Sequence, residues 1–376
     1  MRRILAAALL TVVLIGCGSG DDSDGLEFTA DKYIPPLVPV QNEFGAWGFM
    51  DREGNLVTEH KYDIIEVFVE DRARVSYGGM WGFLGPDGTE AVEPKFEAEL
   101  RYSDGLAGVE MARQWGFIDL NGKMVIPLEW EFTTGFHDGL AAVQKGGKFG
   151  FIDKQGELVI PYKYENPGSF SGGMARITED GELWGIIDKS GKLIGGRWFE
   201  NVEYPSEGLA AFLSQGKWGF MNLQGETVIE PVFKRVKPFS SGRAPVTDGQ
   251  TWWVIDHQGN RVTKQDYVYM LHYSEGLLAV RSGSDWGFVD SLGVEVIPPI
   301  PGGAVRSFYE GRAAIRLDGK WGFINRRGEI VIEPQFDNVV GDFHGGLSMV
   351  QNGQARIYIN RKGDVVWPRP EADGGE

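Results

Sequence analysis

Five histidines are the first residues to test for chemistry: His60, His137, His257, His272 and His344. They are dispersed, and no two stand four apart as the paired imidazoles of a helical zinc motif must. His137 and His344 directly follow Phe136 and Phe343 in equivalent settings, which makes a surface loop their simplest role. Carboxylates are plentiful. Glu97 with Glu99, or Glu129 with Glu131, offers the proximity of a glycosidase pair, yet acids two apart on a strand share one face that is ordinarily solvated. Asp51, Asp119, Asp153, Asp188, Asp256 and Asp290 recur before glycines. Calcium takes about six to eight oxygens, and each of these turns supplies one acid, so capping of the local backbone explains them better. No Gly-x-Ser-x-Gly elbow, Walker phosphate loop or dinucleotide fingerprint occurs. These residues point to no enzyme, no metal and no cofactor.

Charge and composition narrow the partners. The 376 residues carry 37 Lys plus Arg against 53 Asp plus Glu, a net charge of −16. That balance opposes binding of nucleic-acid phosphates and attraction to anionic lipid, and leaves a basic partner or a neutral ligand. The 54 glycines are about twice the usual share, while 42% apolar and 12% aromatic residues provide a core, so neither disorder nor collagen fits. One cysteine excludes intrachain disulfides and multi-cysteine metal sites.

That cysteine stands at an informative place. Arg2 and Arg3 precede Ile4 to Gly16, apolar apart from Thr11, a run with the length of a signal-peptide core and too short to span a bilayer. It ends in Leu14-Ile15-Gly16-Cys17, followed by the small, polar stretch Gly18 to Gly25. These residues resemble the lipobox of bacterial lipoproteins. The resemblance implies removal of residues 1–16, acylation of Cys17 with palmitate-type chains, and a flexible tether over 17–34. A single chain anchors only marginally, and an acidic protein gains nothing from anionic headgroups, so several chains are expected. Gly18 after the cysteine, in place of Asp, resembles the outer-membrane sorting pattern of Gram-negative bacteria. The expected location is the cell envelope.

The remainder, 35–368, reads as one repeat used ten times, with a short tail over 369–376. Trp47, Trp81, Trp115, Phe149, Trp184, Trp218, Trp252, Trp286, Trp321 and Arg356 are spaced by 34 or 35 residues. Each is followed seven positions on by a glycine, from Gly54 and Gly88 to Gly328 and Gly363. Such recurrence is the mark of a repeat array. Within the unit from Gly139, short apolar runs (Leu140 to Val143, Phe149 to Ile152, Leu158 to Ile160) alternate with glycine turns, the signature of an antiparallel meander. Asp153, Asp119 and Asn325 open turns that end on glycine, where their side chains can cap the backbone. Prolines such as Pro161 and Pro231 close the third run, and a looser segment such as Phe233 to Phe239 follows, able to add a short further strand.

The motifs Lys217-Trp218-Gly219-Phe220 and Lys320-Trp321-Gly322-Phe323-Ile324 are similar to the WG repeat of bacterial proteins. The resemblance implies an all-β array of ten antiparallel meanders and carries no single activity. In such a strand Trp218 and Phe220 share one face, and Gly219 leaves a gap on the other for neighbouring backbone or an aromatic ring. Each unit must rely on its neighbours, and Arg356 in the last copy fits a capping unit facing water. An open, solenoid-like array is expected, because ten units exceed the usual blade number of a propeller; closed rings, as one or as two of five units, are the alternative. A lipid-anchored scaffold for protein contacts is the leading functional expectation. A carbohydrate-binding module is the alternative, with a hydrolase the weakest reading. Any ligand site is expected where the repeat breaks its rule: at Trp253, which replaces the glycine, with Tyr267, Tyr269, His272 and Tyr273 crowding behind it. Gly195-Gly196-Arg197-Trp198 is a second irregularity.

Overall fold

A computed structural model describes residues 35–368; Cys17, the segment before it, the tether and the tail lie outside the described residues. The described chain forms ten antiparallel sheets in sequence order, seven of them four-stranded. Its single helical piece is the short 3₁₀ turn Ile194–Gly196. In the unit around Phe149 the strands are Phe132–His137, Leu140–Lys145, Lys148–Asp153 and Leu158–Tyr164, each paired with the next. The looser segment after each proline supplies the first strand of the following sheet: Arg235–Val236 pairs with Ala244–Thr247, and Asn338–Val339 with Leu347–Asn352.

The turn chemistry is as the residue types require. Asp153 Oδ1 accepts from the N–H of Gln155 at 3.0 Å and of Glu157 at 2.9 Å. Asp119 and Asn325 do the same in their own units. Gly156, at φ +84°, closes the turn in the left-handed region.

The gap beside the tryptophan is filled by the fourth strand of the same unit. A Cβ on Gly219 would lie 2.5 Å from the carbonyl oxygen of Ile229 and 2.7 Å from the nitrogen of Pro231. The same crossing recurs at Gly82, Gly116, Gly150, Gly287 and Gly322. Trp218 pairs across it with Phe233, and Trp115 with Trp130, next to a register shift that bends the fourth strand over the glycine.

Units join through aromatic edges. Phe117 of one third strand meets Phe136 of the next sheet at 4.7 Å between ring centres, and Phe151–Phe170, Phe220–Phe239, Phe288–Phe308 and Phe323–Phe343 repeat the contact at 4.9–5.0 Å. Such pairs add about 0.5–1.5 kcal/mol each beyond burial, which is how sheets too small to stand alone hold together.

The two ends of the array meet. The turn glycine of each unit sits against the fourth-strand region of the unit before it: Gly122 on Val92, Gly156 on Ile126, Gly259 on Ile229, Gly328 on Ile297 and Gly363 on Ile332. Gly54 of the first unit is likewise set against the last unit, on the carbonyl of Val366. Val40 and Met50 share a buried cluster with Leu347, flanked by Tyr358, Val366 and Trp367. Tyr358 donates to the carbonyl of Pro39 at 3.0 Å, and Arg52 bridges the carbonyls of Pro35 at 2.8 Å and Gly345 at 3.0 Å. The meanders themselves remain separate, with no barrel among them. The all-β array of separate antiparallel meanders is the expected one, and within it the first and last units are in contact, as the closed alternative has them. Arg356 is exposed, but its unit has no face left to cap.

Candidate functional site

Bonds such as Arg176 to Asn201 and Arg306 to Val339 link the first-strand regions of adjacent units along one rim of the array, the inner rim. Two layers of polar contact line that rim. In the first, an acid at the turn before the second strand reaches the next unit. Glu70 accepts from the N–H of Asp104 at 2.9 Å and of Gly105 at 2.8 Å. Asp104 accepts from Gly139 at 2.6 Å, Asp138 from Gly173 at 2.7 Å, Glu207 from Gly242 at 2.8 Å and Glu310 from Gly346 at 2.8 Å. These acids themselves have positive φ, a strained backbone held by the bonds they make.

In the second layer a cation lies over the repeat tryptophan. Arg74 sits 5.1 Å from Trp81, Arg176 4.7 Å from Trp184, Lys237 5.8 Å from Trp252, Arg281 5.7 Å from Trp286 and Arg306 5.7 Å from Trp321. Three of them are also paired. Arg74 binds Glu66 and Glu99, with Arg101 completing the group on Glu66 at 2.8 Å. Arg176, only 8% exposed, donates to Asn201 at 2.9 Å and faces Glu203 at 3.8 Å. Arg306 donates to the carbonyl of Val339 at 2.6 Å and faces Asp342 at 3.7 Å. Burial pushes the carboxyls of Glu203 and Asp342 upward against the pull of their arginines.

Glu99 shows the consequence. Burial raises its carboxyl to about 7, with Arg74 opposing and Glu66 adding to the rise. A carboxyl raised in the folded state binds more protons there than in the unfolded chain, so its contribution to stability falls as pH climbs from about 4.5 to 7 and levels off above. Glu99→Gln is expected to flatten the stability profile across that window, as measured by urea unfolding at each pH. An unchanged slope would show that Glu99 is ionised throughout.

The five residues singled out in the seventh and eighth units do not form one platform. Tyr267 and Tyr273 are core residues, 3% and 6% exposed, at positions held elsewhere by Phe233 and Phe136. Trp253 packs edge-on to Phe233 at 6.1 Å beneath the guanidinium of Arg261. It fits because this unit's sheet has three strands and no fourth strand crosses it. Tyr269 and His272 do reach the inner rim. Tyr269 is 39% exposed, set between Trp252 at 6.0 Å and Trp286 at 6.1 Å, with the ammonium of Lys237 over its ring at 5.3 Å. His272 meets the hydroxyl of Tyr309 at 3.3 Å; crowding by the protein and then the charge of Lys237 hold its imidazole below the usual range. Burial likewise lowers the Lys237 ammonium.

The family description WG containing repeat matches eight stretches: 47–81, 81–112, 115–149, 149–182, 184–218, 218–252, 286–321 and 321–354. The chain belongs to the WG containing repeat family. The WG stretches leave out the segment from Trp253 to Asp285, where the glycine and the fourth strand are both lost. No curated protein sequence matches the chain. Among solved structures, a eukaryotic initiation factor is similar at 9% identity and a TM-score of 0.53, over 87% of this chain and 98% of that one. BamB from Moraxella catarrhalis is similar at 12% identity and a TM-score of 0.37, over 72% and 96%. At such identity the first likeness is one of fold alone.

Two sets of rim residues escape a reading of the WG motif. The turn acids carry a visible signal, an Asp or Glu recurring before glycine at Asp104, Asp138, Glu207, Glu275 and Glu310. The rim cations carry none, because they come from either of two strands and appear in only some units. Among the described residues no group of three His, Cys, Asp or Glu is placed to hold a metal.

Proposed function

We propose that this WG-repeat protein is a lipid-anchored scaffold of the cell envelope that engages a protein partner through the circumference of its ring. The observation that carries this reading is the dress of the fourth strands. Val125, Leu158, Val159, Val228, Val232, Val296 and Ile330 are all exposed, on the fourth strand of five units. Single exposed apolar residues need no explanation, but a row of them repeated from unit to unit marks an interaction surface. Proline and a register shift blunt these edge strands, as Pro161 does in Leu158–Tyr164, so a partner meets side chains rather than adding a strand. The lipobox-like Cys17 supplies the tether. The reading assigns no reaction to the chain.

Photo-crosslinking in the producing cells tests it. A crosslinker at Val159 or Val232 is expected to capture one shared protein, and one at Thr134 on the inner rim is not; Cys17→Ser is expected to release the protein from the membrane fraction. Capture from Thr134 alone would move the partner site off the circumference, and a Cys17→Ser protein that stays in the membrane would remove the lipid anchor.

A further inference from the structure

The rim between the seventh and eighth units differs from the other cation-bearing positions in its charge balance. Arg74, Arg176 and Arg306 each have an acid within ion-pair reach. Lys237 and Arg281 have none among the described residues, although both lie against the same aromatic group, Lys237 over Trp252 and Tyr269 and Arg281 over Trp286. Arg281 is the cross-strand partner of Tyr269 on one side and of Trp286 on the other, its guanidinium lies over Trp286, and its Nε is buried with no hydrogen-bond partner. His272 adds a third nitrogen centre on the strand that carries Tyr269. A protein of net charge −16 thus keeps two uncompensated cations around one partly exposed tyrosine.

We propose that Lys237, Arg281 and Tyr269 form a binding site for a small, singly charged carboxylate with a ring-shaped or apolar body. Guanidinium suits a carboxylate because its planar fork matches two oxygens, while the ammonium adds a point charge and the tyrosine edge a wall for the body of the ligand. The overall negative field disfavours a polyanion, which is why one charge is specified. The inference stands independently of the scaffold reading and goes beyond it.

The test is titration of the full chain, followed by tryptophan fluorescence, with sodium glucuronate, sodium cyclohexanecarboxylate and, as contrast, inorganic phosphate. Saturable binding of at least one carboxylate is expected, with a dissociation constant of roughly 0.1–10 mM, the range of a few polar contacts. Glucuronate alone would identify a sugar acid, and cyclohexanecarboxylate alone an apolar acid. Lys237→Gln and Arg281→Gln should each weaken binding about tenfold or more, and Lys237→Arg should restore it to within about threefold, which separates lost charge from lost folding. No saturation by either carboxylate, tighter binding of phosphate than of both, or binding indifferent to both glutamine variants in folded protein would overturn the assignment.

Discussion

Gly219→Val should destabilise the protein by about 3–5 kcal/mol, whereas Lys217→Ala two residues away should stay within about 0.5 kcal/mol. The reason is backbone, not side chain. The added Cβ would meet the Ile229 carbonyl at 2.5 Å and the Pro231 nitrogen at 2.7 Å, and neither can step aside without unpairing the fourth strand from the third. That strand carries Ile229, on which Gly259 of the following unit rests, so the damage passes to the neighbour. Urea unfolding followed by tryptophan fluorescence measures the loss. A midpoint equal to that of Lys217→Ala would mean that the crossing strand moves freely and that the WG glycine is not a packing element.

Gly54→Val should cost more than Gly105→Val, by about 2 kcal/mol or more, because the first adds overpacking to strain that both share. Both glycines have positive φ, +82° and +80°, and valine is strained at either. Around Gly105 a new Cβ finds open space, while at Gly54 it runs into the carbonyl of Val366. The difference between the two variants therefore isolates the seam between first and last units. Equal losses would mean that the seam contributes nothing to stability.

The unit of this fold is plain in the sequence because the tryptophan and the glycine seven positions later hold their offset in nearly every copy. Turn capping by Asp153 follows from residue type alone, and so does a gap beside Gly219, but that backbone and not an aromatic ring fills it is seen only in the fold. Ring closure does not, since it depends on the small rotation between successive sheets, which no residue type encodes; Val366 and Gly54 look like any other pair of neighbours only once the circle is complete. Trp253 reads as an exposed platform when the motif is taken alone. Its partial burial depends on a strand that is missing from its own unit, a loss that the segment after Asn260 hides by keeping valine, threonine and tyrosine. Tyr267 and Tyr273 are different, because aligning them with Phe233 and Phe136 assigns them to the core without a structure. Lys237 and Arg281 become a pair only when two neighbouring sheets are stacked.

The most direct test of the ring is a distance across its seam. Glu53 and Lys362 are exposed on the first and last units, next to Arg52 and Arg361, which line a common cleft. In a Cys17→Ser background, spin labels at Glu53→Cys and Lys362→Cys are expected within about 25 Å of one another by electron–electron resonance, the spacing of two adjacent sheets plus label arms. Sheets stacked about 10 Å apart in an extended array would instead place the labels roughly 90 Å apart, and a distance of that order would contradict the closed ring.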